Sequence, residues 1–124
     1  MTKIMLIEDD YTMLSLLITF LEVEGYEVVQ VNSGENAYKA ENVLSILRRE
    51  SPSLALMDVN LKYANGHELL RSVRDAPDLN DVKVLMSSGM DFTYQSLQDG
   101  ADGFILKPYM PDELKARIQD ILGN

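Results

Sequence analysis

The sequence predicts an α/β domain in which five parallel strands form one sheet, doubly wound by five helices in (βα)5 order. Three observations carry that prediction. Five short apolar runs are spread along the chain, and three of them are unbroken, as in strands covered on both faces. Stretches with apolar residues at helical spacing separate the runs. The two kinds of segment alternate strictly, as parallel strands joined by crossover helices must.

The first run, residues 4–7, is continuous. Residues 11–24 follow with Met13, Leu14, Leu16, Leu17, Phe20 and Leu21 on a helical period, and Gly25 closes that helix. Residues 28–31 form a second run interrupted by Gln30. The spacing of Ala37, Tyr38, Ala40, Val43, Leu44, Ile46 and Leu47 predicts a helix over 34–50, capped by Ser33 and stopped before Ser51-Pro52. The third run, 54–57, is continuous and is followed by a helix over 66–75 carrying Leu69, Leu70 and Val73. Residues 82–86, interrupted by Lys83, give the fourth strand, and a short, weak helical pattern over 91–99 ends at Gly100. Residues 104–106 give the fifth strand, and the last helix runs over 111–122 from Pro111. The polar stretches 32–36 and 63–66 read as loops.

A chain of 124 residues with 46% hydrophobic and 25% charged residues is one ordinary globular domain, 1–124. It has no cysteine and a single histidine, His67, which excludes disulfide frameworks, thiol nucleophiles, and Cys- or His-rich metal sites. Its net charge of −9 repels phosphate backbones and anionic bilayers, so direct nucleic-acid binding and membrane association are not expected. The longest apolar stretch, 13–21, is too short to span a bilayer. The first residues lack a signal-peptide pattern, and a cytoplasmic location is expected.

In an open parallel sheet, ligands bind beyond the carboxyl ends of the strands. Glu8, Asp9 and Asp10 follow the first run, Asp58 the third, Ser87-Ser88-Gly89 the fourth, and Lys107-Pro108 the fifth. Each has an ordinary alternative: Asp10 as a helix cap, Asp58 as an Asx turn, Ser87 and Ser88 bonding their own backbone, Lys107 in solvent. Their convergence on one edge is the signal. Carboxylates about 4 Å apart repel by roughly 4 kcal/mol per pair at an effective dielectric near 20, so the cluster calls for cations. Mg2+, with Lys107 beside it, suits such oxygen donors. A carboxylate between a divalent cation and an ammonium is placed to attack a phosphoryl group. The chain has no G-x-x-x-x-G-K-[ST], G-x-G-x-x-G or G-x-S-x-G motif, which removes the nucleotide-binding loops and the hydrolase elbow. A glycosidase pair would need a larger cleft, and His67 reads as a helix residue.

Five segments in order carry a resemblance: Lys3-Ile-Met-Leu-Ile-Glu-Asp-Asp10, Leu56-Met-Asp58, Asn65-Gly66-His-Glu-Leu69, Val84-Leu-Met-Ser-Ser-Gly89 and Gly100-Ala-Asp-Gly-Phe-Ile-Leu-Lys-Pro108. Over residues 3–122 the chain resembles the flavodoxin-like receiver domain of two-component response regulators, chemotaxis regulators among them. The resemblance implies that Asp58 is the phosphoacceptor. It implies Mg2+ held by Asp9, Asp58 and the backbone carbonyl of Asn60, with Glu8 acting through water. Asp10 is the looser third acid. Ser88 would bond a phosphoryl oxygen, and Lys107 would pair with Asp58 and then with the phosphate. Ser88 and Phe104 would be the switch residues, and Lys107–Pro108 would be cis. A sensor histidine kinase or phosphotransfer protein would be the donor, and an unidentified protein or domain would receive the output.

Some positions depart from the family. Lys62 stands where proline is common, which predicts a freer loop. Ser88 and Lys107 are nineteen positions apart, about one helical turn short, with the shortfall on the usual output face. Asp9 and Asp58 are 49 apart, a surplus assigned to a longer second helix. Met110 replaces the usual cap before Pro111, and Met90 is apolar where some relatives are polar. Two other functions compete. One is a receiver-like adaptor that no longer signals by phosphorylation, favoured only by the shortened fourth helix. The other is a small-molecule phosphatase, disfavoured because Asn60 stands where a second acid is needed. Both a single-domain regulator and a receiver from a longer protein fit the chain.

Overall fold

The structure, a computed structural model, describes residues 1–31 and 37–123. Five strands, β1 (Lys3–Ile7), β2 (Glu27–Gln30), β3 (Leu54–Asp58), β4 (Lys83–Ser88) and β5 (Gly103–Leu106), form one parallel sheet in the order β2-β1-β3-β4-β5. Five helices alternate with them: α1 (Tyr11–Val23), α2 (Ala40–Glu50), α3 (Gly66–Asp75), α4 (Thr93–Gln98) and α5 (Pro111–Leu122). A 3-10 turn at Pro77–Leu79, which the periodicity did not predict, leads into β4.

Alternation along the central strands shows why they are almost wholly apolar. Ile4, Leu6, Leu54, Leu56, Leu85 and Ile105 face α1 and α5 and meet Leu17, Leu21, Leu114 and Ile118. Met5, Ile7, Ala55, Met57, Val84, Met86 and Phe104 face the other side and meet Val43, Leu47, Leu69, Leu70 and Val73. Both faces are buried, so neither parity of residue can be polar. No helix among the described residues is long and apolar enough to cross a membrane.

The expected start of α2 needs correction. The helix begins at Ala40 rather than 34, with Lys39 at its N-cap and no side-chain cap bond. Tyr38 explains the late start: its ring is buried and its hydroxyl donates to the Glu8 carbonyl at 3.1 Å, which pins the chain in a turn before the helix. At its other end the helix runs through Arg48 and Arg49 to Glu50, as expected. Ser33, the expected cap, lies outside the described residues.

Candidate functional site

The strand order reverses direction at β1, so its carboxyl end and that of β3 open the crevice where an α/β sheet receives ligands. Glu8 and Asp9 leave β1 there, and Asp58 is the last residue of β3. These three each place a carboxylate oxygen within 4.8 Å of the others. Glu8 and Asp58 are buried. Asp10 stands apart: its side chain accepts the Met13 N–H at 2.8 Å and caps α1.

Lys107, just past β5, reaches into this cluster with its Nζ 2.6 Å from Glu8 Oε1 and 3.3 Å from Asp58 Oδ1. The Lys107–Pro108 peptide is cis, as the resemblance implied. Burial and the Glu8 charge push the Asp58 carboxyl up to about 6, against the lowering effect of Lys107. Burial pulls the Lys107 ammonium down, but its bond to Glu8 and the charge of Asp58 outweigh that and leave it raised. At neutral pH Asp58 is thus a carboxylate with one long ionic contact and little solvent.

Ser88, at the end of β4, is buried; its hydroxyl donates to Asn60 Oδ1 at 2.8 Å and accepts the Met90 N–H at 3.1 Å. Phe104 is buried in the core cluster that includes Met86, and its carbonyl accepts from Arg117 of α5. The β3–α3 loop closes over the acids. Lys62 uses its backbone N–H, which a proline lacks, to bond Asp9 Oδ2, so the expected freedom of this loop meets a tie to the site. Gly66 N–H bonds the Val59 carbonyl at 2.8 Å, and a Cβ on Gly66 would stand 2.3 Å from the Asp58 carbonyl oxygen. Only glycine lets α3 start this close to the end of β3.

The sequence therefore identified Glu8, Asp9, Asp58, Ser88 and Lys107 as neighbours, and the structure brings them together. It left unassigned the side chain of Asn60, the amide of Lys62 and the hydroxyl of Tyr38, because none has a periodicity or strand-end signature. His67 lies in α3, buried, with Nε2 3.0 Å from Ser96 Oγ of α4.

A hard divalent cation fits the donor set: carboxylate oxygens converging from two strand ends, with no nitrogen or sulfur ligand among them. Residues 4–119 match the family model described as response regulator receiver domain. The chain is 37% identical over 123 residues to the transcriptional regulatory protein CpxR homolog of Haemophilus influenzae, covering 98% of this chain and 51% of that protein. It is 32% identical over 120 residues to the probable transcriptional regulator ycf27 of Porphyridium aerugineum, covering 97% and 48%. The crystal structure of a putative response regulator from Chloroflexus aurantiacus superposes with a TM-score of 0.85 at 27% identity, covering 99% of this chain and 98% of that one. The chain spans about half the length of the curated relatives it matches.

Proposed function

From the premise that the chain belongs to the response regulator receiver domain family, we propose that it takes a phosphoryl group from a phosphohistidine of a sensor kinase or phosphotransfer protein onto Asp58. The P–N bond to the donor imidazole breaks and a P–O bond to an Asp58 carboxylate oxygen forms. The imidazole keeps the electron pair and takes a proton. The observation that carries this reading is the juxtaposition at one sheet edge: a buried carboxylate, an ammonium 3.3 Å from it, and a hydroxyl at the next strand end.

Asp9, Asp58 and the Asn60 carbonyl would hold Mg2+, which when bound neutralises charge on the phosphoryl oxygens. Ser88 gives up Asn60 to donate to a phosphoryl oxygen, and Lys107 pairs with the transferred group. Phe104, a buried residue of β5, transmits the change toward an output protein or domain. The only reaction the domain catalyses is its own modification and its reversal, and its setting is the cytoplasm.

Intact mass spectrometry after incubation with acetyl phosphate and Mg2+ should show one added phosphoryl group, absent in Asp58→Asn. Labelling of Asp58→Asn equal to wild type overturns the assignment. Absence of labelling with several donors favours the adaptor reading.

A further inference from the structure

Six polar or charged side chains are buried among the described residues: Glu8, Asp58, His67, Ser87, Ser88 and Ser96. Four of them lie at or just past the ends of β1, β3 and β4, at the candidate site. The other two meet each other. His67 of α3 is 3% exposed and Ser96 of α4 is fully buried, and His67 Nε2 lies 3.0 Å from Ser96 Oγ. Phe92, at the entry to α4, sets its ring edge-on to the imidazole, with centroids 5.4 Å apart and planes at 89°. Neither Phe92 nor Ser96 carries a charge that could neutralise the ring. The charged groups that act on it are Asp99, at the exit of α4, and Arg71 of its own helix, and these two already pair at 3.0 Å. Burial outweighs the pull of Asp99 and holds the imidazole below its ordinary 6.5, so it is neutral in the folded protein at neutral pH.

We propose that this pair is a proton-sensitive latch on α4: a neutral His67 seats the helix against α3, and an imidazolium formed on mild acidification releases it while the sheet stays folded. An apolar pair would hold the helix equally at any pH, whereas a histidine makes the hold depend on its own charge. The charged ring gains water by opening, and the segment that gives way is short, since α4 has six residues. That segment carries the exposed side chains of Tyr94 and Leu97, so its release changes a surface that a partner can touch. A lowered imidazole favours the seated helix fully above the ordinary 6.5 and loses that contribution as pH falls through the folded value. The latch does not depend on the phosphoacceptor reading of Asp58.

The chain has one histidine, so its imidazole resonances are unambiguous. Asp58→Asn is the background for the test, because Asp58 titrates in the same range. In a 1H–13C pH series His67 should titrate below 6.5, and a midpoint at or above that value overturns the proposal. The amide N–H groups of Ser96, Asp99 and Ala101 donate to the carbonyls of Phe92, Gln95 and Ser96 at 2.9 Å and report the state of the helix. After correction for intrinsic rates, their protection against hydrogen exchange should fall about fivefold or more from pH 7.5 to pH 5.0, while that of Leu56 and Met57 in β3 should hold. His67→Gln keeps a nitrogen within reach of Ser96 and does not titrate, so in that variant the fall should shrink to within about twofold. An undiminished fall in His67→Gln, no fall in the parent, or an equal loss in β3 overturns the latch.

Should His67→Gln not fold, the shape of the parent's exchange profile decides. The loss of protection in α4 must level off as His67 completes its titration. A loss that keeps growing below that point belongs to another group and overturns the proposal.

Discussion

Burial and the neighbouring Glu8 charge raise Asp58 to about 6 from an ordinary 3.8, so the folded protein holds that proton more tightly than the unfolded chain does. The stabilisation from that proton is complete below about pH 4 and lost as pH rises through about 6. At pH 7.5 the ionised, buried Asp58 costs on the order of 2–3 kcal/mol. In metal-free buffer, Asp58→Asn should therefore be more stable than wild type by about that amount at pH 7.5, and about equally stable at pH 4. Urea unfolding at the two pH values checks it; an equal gain at both would point to packing rather than ionisation. Burial lowers His67, which works in the opposite sense: its contribution is full above the ordinary value of 6.5 and fades as pH falls. Both proteins carry His67, so it cancels in the comparison. The site's members were legible because a parallel sheet sends its strand-end residues to one edge. Their pairing was not. Whether Lys107 bonds Glu8 or Asp58 turns on the difference between 2.6 and 3.3 Å, which no sequence spacing encodes.

Helix α4 has six residues, too few to hold itself together; it packs on β5 and is tied to α3 by polar bonds. His67, Arg71 and Arg74 lie along one stripe of α3, and each bonds α4 or its exit. His67 meets Ser96, Arg71 meets Asp99 at 3.0 Å, and Arg74 bonds the Gly100 carbonyl at 2.8 Å and Asp102 at 3.0 Å. Arg74 also donates to the Val82 carbonyl at 2.8 Å, so one guanidinium joins α3, the entry to β4 and the α4–β5 turn. Arg74→Met should destabilise the domain by about 2–3 kcal/mol, because it strips charged donors from two backbone carbonyls and from Asp102. Arg71→Met, removing a more exposed pair, should change the urea midpoint little. Equal effects of the two variants would refute the central place given to Arg74. The same contacts explain why α4 was the weakest pattern in the sequence. Periodicity detects apolar faces, and this helix is attached largely through polar groups. The start of α2 was misplaced for a related reason: Ala37 and Tyr38 are apolar residues buried from a turn, and in a periodic window they count as helix.

The parallel sheet with two covered faces follows from alternation and was legible in the sequence, because β1 and β3 are buried on both faces and show it in composition. What composition also encodes is a charge problem. The chain carries −9, and Glu8, Asp9 and Asp58 concentrate three of its acids at one edge against a single close ammonium, Lys107. Their mutual repulsion exists only in the folded state, where the strands bring them together, so it lowers the stability of the whole molecule. An ion that binds the folded site alone adds RT ln(1 + [L]/Kd), about 1.4 kcal/mol at ten times Kd. For a domain of this size that raises the melting temperature by about 3–6 °C. Ordinary screening also relieves repulsion, so the measurement is a melt in MgCl2 against NaCl at matched ionic strength. Asp9→Ala should lose the Mg2+-specific rise while keeping the general salt response. In metal-free buffer it should melt no lower than wild type, since one repelling charge is gone and the Lys62 amide it held can turn to water. Equal shifts in the two salts, or an undiminished Mg2+ rise in Asp9→Ala, would show that these carboxylates do not hold the ion and that the molecule bears its acidic edge for another purpose.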